Sequence, residues 1–151
     1  MNPVDVHILV YNEPSWMVDR TLEALASQPV NVHVVPWREE KPPFEGREEG
    51  FSRGTAPWVS LVDPDDIVYP HCYETLLANT HDNCDGVTGC EYVYQDGVFV
   101  RKQCTPHHAF LLRRGLDIWY AGGNRAFMDL PVSRVVQIPD VLYEHHRQAR
   151  I

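Results

Sequence analysis

Trp58-Val59-Ser60-Leu61-Val62-Asp63-Pro64-Asp65-Asp66-Ile67-Val68-Tyr69-Pro70 is a short apolar run that stops at three carboxylates within four residues. A run this brief, with a proline on either side, reads as a buried strand. Such a strand delivers Asp63, Asp65 and Asp66 together at its C-terminal end. Carboxylates so placed repel one another, and a divalent cation relieves the repulsion because hard cations prefer carboxylate oxygen. Pro64 stiffens the turn and holds Asp63 and Asp65 in a fixed relation. Spacing alone is equally compatible with a solvated acidic turn, in which Asp65 or Asp66 caps the next helix.

Upstream, Val4 to Val10 alternates and then runs apolar, as a half-buried to buried strand does. Tyr11-Asn12-Glu13-Pro14 is a turn, and Ser15 a candidate helix cap. Val18, Leu22 and Leu25 share one helical face until Gln28-Pro29 ends the helix. Val30 to Val35 is a second strand, which completes a β-α-β unit and predicts parallel pairing. Residues 36 to 57 are polar and rich in Pro, Gly and charge, so a long loop or a short helix within loops is expected.

Downstream, Tyr69, Tyr73 and Leu76 mark a helix. Cys90 to Tyr94 and Val98 to Lys102 form a hairpin through Asp96-Gly97. A segment from Phe110 to Tyr120, a short helix near Asp129 to Ser133 and a strand from Val135 complete the layout. The pattern is α/β, with ligands expected beyond the strands' C-terminal ends.

The chain has 151 residues, 44% of them hydrophobic and 23% charged, which suits one globular domain over 1–151. The net charge of -8 and the lack of a basic block argue against a nucleic-acid binder, although Arg113-Arg114 is a local basic patch. No apolar run approaches the roughly 20 residues that span a bilayer, and the N-terminus does not read as a signal peptide, so a cytoplasmic protein is expected. Cys72, Cys84, Cys90 and Cys104 lack a CxxC pair, and four reduced thiols are expected rather than a zinc site.

The stretch from Trp58 to Pro70 resembles the DxD segment of GT-A glycosyltransferases, and among them glycosyltransferase family 2. Val6 to Leu25, with Tyr11-Asn12-Glu13, is similar to that family's opening strand, turn and helix. Phe110 to Arg114 followed by Gly122-Gly123 resembles the approach to the acceptor side, and Ile138-Pro139-Asp140-Val141-Leu142-Tyr143 the C-terminal strand. The resemblance implies a GT-A-like, Rossmann-like three-layer sandwich around a mostly parallel sheet. The nucleotide-binding half would be about 1–70 and the acceptor side about 71–151.

It also implies a metal-dependent, inverting transfer from a nucleotide-diphosphate sugar, a UDP-sugar by family habit, with Mn²⁺ or Mg²⁺ as cofactor. Asp65 would be the principal metal ligand, with Asp63 on the ribose or the metal and Asp66 more a helix cap. Tyr11, Asn12 and Glu13 would border the nucleoside, and Arg47 a phosphate or base edge. Trp37 stands where the family often carries an acidic pair, and stacks on the base or packs in the core. Of His145 and His146, adjacent on a strand, one would complete the metal shell, with Arg147 on the diphosphate. His107-His108 reads as loop surface or acceptor wall.

The family's base comes from a Glu-Asp pair, and this chain has Met128-Asp129 there. Asp129 is the expected base and Asp117 the reserve. The acceptor side is shorter than is usual in the family, which leaves a shallow acceptor pocket or one completed by a second copy in a homo-oligomer. A non-catalytic nucleotide-sugar-binding module or degenerate partner subunit is the competing reading. A sugar nucleotidyltransferase would need a Gly-rich phosphate loop in place of Tyr11 to Pro14.

Overall fold

Strand β1 (Val4–Val10) has alternating side chains committed to two opposite layers, and the rest of the fold follows from that. Val4, Val6 and Ile8 pack in one core with Leu25, Tyr73 and Leu76. On the other face, His7 meets Phe51 edge-on at 4.6 Å. The computed structural model describes residues 2–36, 42–104 and 108–148.

Helix α1 (Ser15–Ala26) and helix α3 (Cys72–Ala78) cover the first face, and α2 (Pro43–Phe51) the second. Strand β3 (Trp58–Val62) divides in the same way. Trp58 and Val62 join the first core, Val59 and Leu61 the second. Buried Ser60 bonds the Tyr73 hydroxyl at 2.8 Å, so its polar group is satisfied.

The sheet runs β2-β1-β3-β7-β5-β8-β4. Here β2 is Val30–Pro36, β4 Ile67–Val68, β5 Gly86–Gln95, β7 Leu111–Arg113 and β8 Val135–Arg147. β1 is parallel to β2 and β3, and β5 to β8. β7 lies antiparallel between β3 and β5, so β1, β2, β3, β5 and β8 all point the same way. β4 runs against β8, and β6 (Val98–Gln103) against β5. The sheet is therefore α/β and three-layered, as expected, with its C-terminal strand ends gathered on one edge. Asp96 and Gly97 turn the β5–β6 hairpin with φ of 50° and 80°, the left-handed pair a two-residue turn demands.

Several local expectations change. Ser15 is the first helical residue; Pro14 occupies the cap position and no side-chain cap forms. Residues 43–51 take the helical alternative for the 36–57 segment. Asp66 caps nothing, because β4 intervenes before α3 begins at Cys72. Tyr69 likewise precedes the helix. The chain from Tyr120 to Asp129 is a kinked 3-10 segment, and Val132–Arg134 a second one, so Asp129 ends a helical turn. The cysteines are not four thiols: Cys90 and Cys104 form a disulfide, while Cys72 and Cys84 are buried and free. Such a bond persists in an oxidising compartment, at odds with the cytoplasmic expectation. Among the described residues, no helix is long and apolar enough to cross a membrane.

α2 approaches β1 so closely that Gly50 has no room for a side chain. A Cβ there would lie 2.2 Å from the ring of buried His7. Alanine would gain about 1 kcal/mol of helix propensity, but overpacking a rigid ring costs about 1–3 kcal/mol. Gly50→Ala is expected to lower the urea midpoint.

Candidate active site

The carboxylate turn sits where the parallel strands end. β3 stops at Val62, and Asp63 follows at once. β8 then brings Tyr143, His145 and Arg147 across from some 80 positions later in the chain, through its antiparallel pairing with β4.

Asp63 is gripped from two sides. Arg47, from α2, reaches its Oδ1 at 2.5 Å, and His108 Nε2 lies 2.6 Å from its Oδ2. Burial alone would raise the Asp63 carboxyl, but the charges of His108 and Arg47 outweigh it and hold the group far below the usual range. The His108 imidazole is buried too, which would lower it. Asp63 reverses this, so its proton is held more tightly than usual. The two form an ion pair. Arg47 is thus neither a free surface residue nor part of a loop.

Asp66 turns inward and is 2% exposed. The Tyr143 hydroxyl donates to its Oδ2 at 2.7 Å and the His146 amide to its Oδ1 at 2.8 Å. His145 Nδ1 lies 3.3 Å and His108 Nδ1 3.6 Å from the same Oδ2. The Asp63 amide donates to the Tyr143 oxygen at 3.1 Å, which ties both ends of the turn to one phenol.

Asp65 is different. Half-buried, it has no ion-pair partner among the described residues, and burial followed by the charges of Asp66 and Asp63 pushes it up to about 6. A carboxylate held in this state stores repulsion that a cation would release. Oxygen atoms of Asp63, Asp65 and Asp66 lie within 4.8 Å of one another, as do ligand atoms of Asp66, His108 and His145. The three carboxylates are hard oxygen donors that fit Mn²⁺ or Mg²⁺, and an imidazole nitrogen added to them suits Mn²⁺ better than Mg²⁺.

Of the two C-terminal histidines, His145 turns its ring to this cluster. The His146 ring stacks on Tyr94 at 4.9 Å and bonds Glu144 at 2.9 Å, so the strand's alternation decides between them. Arg147 lines two hollows. One of 360 Å³ includes Arg47, His108, Gly122, Gly123 and His145. The other, of 470 Å³, includes Arg20, Asp65 and His146. The exposed Tyr11 and Asn12 direct their amides at Glu13 Oε2, at 2.8 and 3.1 Å.

Neither carboxylate expected to act as base joins this cluster through a contact among the described residues. Asp129 and Asp117 are both exposed. Trp37 and His107 lie outside the described residues. His108 and Tyr143 are the members that sequence reasoning missed. A signal for the first was present: His108 directly precedes the apolar run Ala109 to Leu112, so it stands at the mouth of a buried strand.

Comparison with known proteins bears on this geometry. The family model of glycosyl transferase family 2 matches residues 5–131. No curated protein matches. Among solved structures, residues 1–349 of TarS from S. aureus align at 11% identity and a TM-score of 0.67, covering 95% of this chain and 60% of that one. The same fragment in complex with UDP-GlcNAc aligns at 13% identity and a TM-score of 0.65, over 98% and 59% of the two chains. Glucosyl-3-phosphoglycerate synthase from Mycobacterium tuberculosis, in complex with Mn²⁺, UDP and glucosyl-3-phosphoglycerate, aligns at 13% and 0.67, over 98% and 73%. At such identities the likeness is one of fold, and this chain spans about three-fifths of the TarS fragment. The match of the family model over most of its length settles the rest: the chain belongs to glycosyl transferase family 2.

Proposed function

We propose that this protein transfers a glycosyl group from a nucleoside-diphosphate sugar, a UDP-sugar by family habit, to an acceptor hydroxyl with inversion. One observation carries the reading. In a turn where Asp63 and Asp66 are fully engaged, Asp65 alone is left charged against its neighbours and open to a hollow. Similarity to chains whose structures contain Mn²⁺ with UDP, or UDP-GlcNAc, supports the same donor class.

Asp65 and His145 would hold Mn²⁺ or Mg²⁺, with Asp66 fixing the histidine between them. Bound there, the cation supplies Lewis-acid neutralisation of the leaving diphosphate. The remaining roles belong to the chain's own side chains. Arg47 and Arg147, which both line the 360 Å³ hollow, offer positive charge to phosphate oxygens. Asp63, clamped by Arg47 and His108, presents a fixed acceptor edge to the ribose. Tyr11, Asn12 and Glu13 border the nucleoside at the end of β1. Asp129 takes the proton from the acceptor hydroxyl, and Asp117 is the reserve for that step.

The test is product formation from a panel of nucleotide sugars and simple glycoside acceptors. Asp129→Asn is expected to lower kcat by about 10²–10⁴-fold with UDP affinity retained. Loss in Asp117→Asn instead would move the base there, and full activity in both variants would remove it from either. Donor binding without turnover under any acceptor would favour a non-catalytic binding module.

A further inference from the structure

Beyond the donor cluster, on the α2 face of the sheet, lies a separate cavity of 320 Å³. Its floor is the sheet itself, from two paired strands. Thr88 of β5 lies opposite Gln137 of β8, and Gly86 opposite Val135. One wall is the 3-10 segment, with Asn124, Phe127 and Met128. Phe127 rests directly over Gly86, where a Cβ would come within 2.6 Å of its ring, and meets Phe110 edge-on at 5.1 Å. The opposite wall is Cys104, pinned to Cys90 on the floor strand by the disulfide and by a hydrogen bond from the Gln137 amide to its carbonyl.

Each wall is held by packing or by a covalent bond, so the cavity is preformed. The surface it exposes is chiefly apolar, with Arg125 the one charged lining residue among the described residues, and Met128 stands 84% exposed at the rim. An unbranched thioether left in water beside a hollow is an apolar contact without its partner. Asn124 lines this cavity and also the hollow that holds Arg47, His108 and His145. The two hollows therefore adjoin at Asn124.

We propose that this cavity is the acceptor's aglycone site, and that the acceptor is a glycoside or alcohol carrying an alkyl or aryl group. The proposal rests on the donor reading above. The alkyl group lies on Val135 and Thr88 between Phe127 and Cys104, while the reacting hydroxyl reaches past Asn124. Asp129, next to Met128, is thereby placed at the acceptor end.

The experiment titrates the whole protein, with UDP and Mn²⁺ present, with octyl β-D-glucopyranoside below its micelle concentration and with methyl β-D-glucopyranoside. Binding is followed by calorimetry and by protein NMR. The octyl glycoside is expected to bind at least about tenfold more tightly than the methyl glycoside. Val135→Trp, which fills the cavity, and Met128→Ser, at an exposed site without folding burden, are each expected to remove that preference while UDP affinity stays as in the parent. Reduction of the disulfide with a dithiol is expected to weaken the octyl glycoside and spare UDP. Equal binding of the two glycosides, or an octyl preference indifferent to both substitutions, overturns the proposal. Octyl glucoside bound in the cavity of a protein that binds no UDP with Mn²⁺ overturns the donor reading and, with it, the assignment to an acceptor.

Discussion

Asp65→Ala is expected to abolish transfer, lowering kcat/KM by about three orders of magnitude or more, while the protein stays folded. As a cation ligand beside the departing diphosphate, Asp65 would supply charge stabilisation whose loss costs factors of this size. As a side chain of the protein without a cation, it contributes repulsion. Burial, Asp66 and Asp63 all disfavour its charged form and push it up to about 6. Its removal should therefore leave the thermal midpoint unchanged or raised, measured without divalent cation. A merely structural aspartate would behave in the opposite way, with activity and stability falling together. Retained turnover in a folded Asp65→Ala protein would contradict the assignment.

Asp5→Ala is expected to cost about 3–5 kcal/mol, a large share of the stability of a domain this size. Asp5 lies at the opposite end of β1 from the site, 4% exposed, and is the common acceptor of four groups. Arg114 and the Ala56 amide reach its Oδ2 at 2.6 and 2.8 Å; His33 and Asn31 reach its Oδ1 at 3.0 and 3.1 Å. Gly54, at φ 74°, leaves no space beside it, since a Cβ there would fall 2.2 Å from the carboxylate. Alanine strands all four donors at once. A urea titration followed by circular dichroism checks the loss, and an unchanged midpoint would refute it.

The same carboxylate predicts acid sensitivity. Burial would raise Asp5, but hydrogen bonds from His33, the Ala56 amide and Asn31 outweigh it, and its proton affinity is lowered on folding. A depressed carboxylate stabilises above its unfolded value near 4, and that contribution disappears as pH falls through the folded value. Asp85, lowered chiefly by its bond from Arg134, acts in the same direction. Stability should fall below about pH 4, and less steeply in Asp5→Asn.

What the sequence made legible was local. The strand from Trp58 to Val62 could be read because four apolar residues around one serine end at charge, and it holds those bounds in the structure. The β-α-β opening and the Asp96-Gly97 turn were equally visible, because period and turn chemistry are properties of neighbouring residues. Asp66 was misread for the complementary reason. Its partners, Tyr143, His145 and the His146 amide, come from nearly 80 positions away on β8, and no spacing announces them. His108 was read as loop surface or acceptor wall because a histidine pair in a polar stretch looks solvated. Only the placement of β7 beside β3 puts it 2.6 Å from Asp63. The Cys90–Cys104 bond was likewise invisible, since it depends on where the chain returns after β6.

The central claim is that the 63–66 turn, completed by His145, receives a nucleoside diphosphate through a divalent cation. Calorimetric titration of the protein with UDP, in Mn²⁺ and again in excess EDTA, tests it most directly. The account predicts binding that is at least about tenfold tighter with Mn²⁺, with that gain absent in both Asp65→Ala and His145→Ala. UDP affinity that is the same in EDTA as in Mn²⁺, or a Mn²⁺ effect that survives both substitutions, would contradict it.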